Sequence, residues 1–110
     1  METRINDEDL GHMAAFPESR KAAVMKRIMG HAPAENVVLE GDDSFESAVL
    51  RLRRDGYGLI DLQRQETAFT TVWYRKGKAL LGLAGVEVAM LMWEASACGG
   101  GATTLMTWRV

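Results

Sequence analysis

A chain of 110 residues, 47% hydrophobic and 25% charged, has the size and balance of one folded domain, which excludes intrinsic disorder. A net charge of −2 excludes a uniformly basic nucleic-acid binder. The single cysteine, Cys98, excludes an intrachain disulfide and a cysteine-based zinc site.

The chain opens without an apolar leader. Asn6 is a good helix N-cap, Asp9 stands at N3, and acids crowd the first turn, where the helix dipole favours them. Ile5 is placed to staple onto Leu10. Phe16-Pro17 ends this helix. A second helix is predicted over Glu18 to His31, with Ala22, Val24, Met25, Ile28 and Met29 on its apolar arc. Gly30 and Ala32-Pro33 stop it. Val37-Val38-Leu39 reads as a short strand. Asp43 and Glu46 have capping-box spacing ahead of Phe45, Ala48, Val49 and Leu52, which recur at helical intervals. Gly56 suits the left-handed position after that helix, with Tyr57 folding back onto Leu52.

From Tyr57 onward the pattern is that of strands. Tyr57 to Leu62 reads as a short strand, and Phe69 to Tyr74 is dense in β-branched and aromatic residues. Arg75 to Lys78 reads as a hairpin turn. Val86 to Glu94 and Thr103 to Val110 form a last strand pair around Gly99, Gly100 and Gly101. Residues 79–97 are also rich in good helix formers, so a buried helix is the alternative there. As a strand, Val86, Val88, Met90 and Met92 share one side, and Glu87, Ala89, Leu91 and Trp93 the other. Gly82 and Gly85 mark a bend or bulge. The expected fold is one α+β domain over 1–110. Its N-terminal helices (1–33) pack on one face of a mainly antiparallel meander of four to five strands (within 34–110).

Charge is arranged in blocks: −4 over 1–19, +4 over 20–33, −5 over 34–47, +4 over 48–78 and −1 over 79–110. Neither His12 nor His31 has metal-ligand spacing. Cys98 has no sequence signature that pairs it with a base. The glycine run lacks the Gly-Lys-Ser/Thr of a phosphate loop. No catalytic residue, metal site or cofactor is therefore assigned. Glu87, inside an apolar run, needs Arg109 or another base if it faces inward. The clearest functional lead is basic and aromatic: Arg51, Arg53, Arg54, Arg64, Trp73, Tyr74, Arg75, Lys76 and Lys78 are read as partner-binding. Met90-Leu91-Met92-Trp93 makes both faces of its strand apolar, so both need cover, a homodimer through the sheet being one source.

The order of helix, helix, strand, helix and long strands resembles, in topology alone, the cone-shaped NTF2-like domains, in which a curved sheet wraps a pocket behind helices. That resemblance implies a small-molecule pocket or a minor enzyme, and Glu87 is the carboxylate such a pocket would use. The leading expectation is instead a small, cytoplasmic, non-enzymatic regulator or inhibitor that binds a protein and occludes its surface. Such domains are common among phages and mobile elements. Nucleic-acid binding through the Arg51–Lys78 region is the other alternative, and no membrane partner is expected.

Overall fold

The computed structural model describes residues 5–77, 85–97 and 99–110. Among them the chain forms α1 (Asp7–Ala15), α2 (Glu18–Ile28), β1 (Glu35–Glu40), α3 (Ser44–Arg54), β2 (Gly58–Arg64), β3 (Ala68–Lys76), β4 (Val86–Ala95) and β5 (Gly101–Arg109). The α+β class and the antiparallel meander are those the sequence implied. Strands β2 to β5 pair in succession, and β1 returns to the far side of β5, giving the order β1-β5-β4-β3-β2.

Local chemistry sets the helices. Asn6 accepts from the Asp9 N–H and Asp9 accepts from the Asn6 N–H, a complete capping box for α1. Leu10 is exposed, and Ile5 packs against the core. In α2 the buried residues are Val24 and Ile28. Met29, expected on the same face, is the C-cap and 74% exposed, because the chain has already left the helix there. The capping box expected at Asp43 is not made: Asp43 is the N-cap of α3 with φ −98° and ψ 5°, not the extended backbone that aims a cap side chain at the first turn. The other end of α3 is as expected. Gly56 takes φ +89°, Gly56 N–H donates to Arg53 O, and Tyr57 N–H reaches back to Leu52 O, both at 3.0 Å.

Residues 86–95 are strand, and their alternation builds a core on each face of the sheet. On one face Ala89 and Leu91 join Leu59, Phe69, Trp73 and Leu105 under Phe45, Ala48, Val49 and Leu52 of α3. On the other, Val88 joins Ile60, Val72 and Trp108 under Val24 and Ile28 of α2. The helices thus divide between the two faces, and α1 lies along β2 at the sheet margin. Burying each large apolar side chain is worth about 1.5–3 kcal/mol, so both layers contribute to holding the sheet. Two side-chain pairs satisfy polar groups inside: Trp73 Nε1 donates to Thr71 Oγ1 (2.8 Å), and Ser44 Oγ meets Thr103 Oγ1 (2.8 Å) where α3 begins, whereas the buried Trp93 Nε1 has no partner among the described residues. The β3–β4 hairpin runs past the expected Arg75–Lys78 turn. Arg75 and Lys76 remain in the ladder opposite Glu87 and Val86, and Gly77 N–H donates to Gly85 O. The expected bend at Gly82, like Lys78 and Cys98, lies outside the described residues.

Candidate interaction surface

The basic and aromatic residues singled out in the sequence do not form one patch. Arg51 extends from α3 to Glu35 of β1 (3.4 Å), with Asp55 at 3.9 Å on its other side. Arg53 is bonded to the buried carboxylate of Asp9 on α1. Arg54 is well exposed beside Asp55. Arg64 lies over the Phe69 ring. Trp73 corrects the expectation outright: it has no exposed surface, because its strand position points beneath α3, so no partner reaches it in the folded chain. Tyr74 points to the opposite face, where its hydroxyl accepts from Arg20 (2.9 Å). Lys76 is exposed on β3.

Glu87 sits between two guanidinium groups, Arg75 at 2.7 Å and Arg109 at 3.3 Å, which supplies the basic partner its apolar strand demands. The bond to Glu87 raises the pKa of Arg75 above its ordinary value. Arg75 also donates to Asp55 O and lies 4.5 Å over the Tyr57 ring. Burial pushes the pKa of the Tyr57 phenol up. Beside this group a cleft of about 410 Å³ is lined by Asp9, His12, Arg53, Tyr57, Tyr74 and Arg75, among others. Glu87 is not part of that lining. Arg53 and Arg75 already hold carboxylates, so the cleft's two guanidinium groups are engaged within the fold.

The two margins of the sheet differ. At β2 the backbone edge is covered at its Gly58 end. The His12 ring of α1 lies against Gly58, and His12 Nδ1–H donates to Leu59 O (2.8 Å). The carbonyl can only accept, so Nδ1 carries the proton. Just beyond, the β2–β3 register slips between Leu59 and Asp61, a bulge that breaks the line of the edge.

At β1 the edge is open, and the hydrogen-bond phase shows which groups it offers. Residues of an antiparallel pair alternate between exchanging both bonds with the neighbour and pointing away from it. Gly41 N–H donates to Gly101 O in the same register that sets Glu40 opposite Ala102, so odd-numbered residues of β1 bond to β5. The far side of β5 agrees. Val86 and Val110 exchange both bonds at 2.9 Å, which directs the even residues of β5 to β4 and leaves its odd residues to β1. Asn36, Val38 and Glu40 therefore turn N–H and C=O groups outward. No strand pairs with them among the described residues. Val38 is 60% exposed and Val37 39%. Sequence reasoning found the strand but not its place. Its one signal was compositional: the charged Glu35 and Glu40 bracket Asn36 and three apolar residues, as charges flank many edge strands.

Among the described residues, no cluster of three His, Cys, Asp or Glu side chains is placed to hold a metal ion, and no helix is long and apolar enough to cross a membrane. No family model, no curated protein and no solved structure matches the chain.

Proposed function

We propose that this chain is a small non-enzymatic regulator or inhibitor that binds a protein and occludes its surface, and that it docks by adding a partner's strand to the free edge of β1. The observation that supports this reading is the asymmetry of the sheet. One edge is covered at its Gly58 end by α1 and His12 and broken by a bulge, whereas the other offers the outward backbone groups of three residues in regular succession, beside two exposed valines. Main-chain bonds along such an edge supply affinity, and pockets for alternate side chains supply specificity. Arg51, next to Glu35, is the member of the basic set that borders this edge.

The test is a tagged pull-down from native lysate, with and without nuclease, using the wild type, Val38→Pro and a paired Arg54→Glu/Lys76→Glu variant. Proline at position 38 removes an outward N–H while sparing the bonds to β5. The expected outcome is a stoichiometric, nuclease-resistant partner held by the wild type and by the charge-reversed variant but lost with Val38→Pro. Retention by Val38→Pro overturns the edge assignment. Loss on nuclease treatment replaces it with nucleic-acid binding through the basic residues.

A further inference from the structure

We infer that the strand added to β1 is an extended, basic segment of another protein, with a lysine or arginine seated at the Glu40 end, and is not a second copy of this chain. This rests on the proposal that β1 is the docking edge and adds the chemistry of its occupant.

The argument is one of charge. Residues 34–47 contain Glu35, Glu40, Asp42, Asp43 and Glu46 and no base. At the Glu40 end, Glu40 and Glu94 both neighbour Ala102 in the register, one on each flanking strand. With Asp42 they line a cleft of about 520 Å³ whose remaining walls are Ser96 and small residues, glycine above all, and include no Lys or Arg. No cation among the described residues pairs with Glu40, Asp42 or Glu94, whereas most of the other acids near the sheet have a base. An incoming strand that lies along Asn36, Val38 and Glu40 carries its next residues to this cleft, where a positive side chain meets three carboxylates.

Self-pairing fails on the same count. With Val38 opposite Val38 in an antiparallel twofold pair, Glu35 of each copy falls opposite Gly41 of the other, between Glu40 and Asp42. Each Glu40 then meets Asn36 of the other copy, on the face opposite Glu35, so Arg51, held at Glu35, brings no positive charge to the Glu40 end. A parallel pair sets Glu35 by Glu35 and Glu40 by Glu40. Like charges directly opposite destabilise a strand pair.

The experiment is fluorescence anisotropy with labelled nine-residue peptides of alternating threonine and valine, flanked by lysine pairs or by glutamate pairs. A third peptide repeats the lysine version with N-methylated valines. The expected result is binding of the lysine peptide at least about tenfold tighter than the glutamate peptide, with the difference shrinking in salt. Val38→Pro and N-methylation abolish it, and Glu40→Lys/Asp42→Lys/Glu94→Lys inverts the preference. Equal, N-methyl-sensitive binding of both charged peptides overturns the basic occupant but leaves the edge standing. Binding that ignores N-methylation and Val38→Pro overturns the edge itself, as does no binding of any peptide. A concentration-dependent dimer that Val38→Pro dissolves in sedimentation makes the occupant a second copy.

Discussion

Asp9 has two partners: it exchanges both capping-box bonds of α1 with Asn6 and holds the Arg53 guanidinium of α3, with only 7% of its surface exposed. Removing one member of a buried pair costs more than the pair contributes, because the other charge is left without its partner. Asp9→Ala is expected to lower stability by about 2–4 kcal/mol, measured by urea denaturation, and Asp9→Ala/Arg53→Ala to recover part of that loss. Tyr57 sets a second, pH-dependent expectation. Burial raises its folded pKa above the ordinary 10.0, so the folded chain holds the phenolic proton longer than the unfolded chain does. The contribution is complete below the unfolded value and is lost as pH rises through the folded one, since only the unfolded state releases the proton early. Stability of the wild type should therefore fall more steeply above pH 10 than that of Tyr57→Phe, followed by thermal melts across the alkaline range.

The docking of α1 on β2 depends on one absent side chain. A Cβ on Gly58 would land within the His12 ring, so the helix approaches only because position 58 is glycine. Gly58→Ala is expected to cost about 1–3 kcal/mol by forcing α1 away from Leu59 O, and His12→Ala in the same chain to restore most of it. Additive losses in this double-mutant cycle would show that the contact does not seat the helix. Nothing in the sequence announces this pairing, because His12 and Gly58 meet only through the fold. What the sequence did disclose was local: the Asn6–Asp9 cap, the break at Phe16-Pro17, the Gly56 ending and the alternation of Val86 to Trp93 are each written in neighbouring residues. Where a third partner decides, local reading failed. Trp73 resembled an exposed recognition aromatic until α3 covered it, and Arg53 and Arg75 looked like free cations until Asp9 and Glu87 came near. Edge or centre is likewise a property of the sheet: beyond the flanking acids of Glu35 to Glu40, only the fold shows that β5 is the one strand paired with β1 among the described residues.

At the scale of the whole molecule, the two edges of the sheet differ, and the open edge at β1 has a phase. Consecutive residues of β1 play opposite parts: Val37 and Leu39 bond inward to β5, while Asn36, Val38 and Glu40 hold their backbone groups out. Proline separates the two classes. Val37→Pro deletes an inward donor and is expected to cost about 3 kcal/mol or more, whereas Val38→Pro, with its N–H directed at solvent, should cost well under half of that. Amide hydrogen exchange followed by NMR reads the same phase without a mutation. Val37 and Leu39 should exchange slowly and Asn36, Val38 and Glu40 quickly, an odd–even pattern that a frayed strand would not produce, because fraying exposes neighbours alike. Addition of a strand at this edge should then protect the three even amides and leave the odd ones nearly unchanged. Uniformly fast exchange along 35–40 would mean that β1 is too loosely held to template a partner. Uniformly slow exchange in the free chain would mean that its outer edge is already occupied.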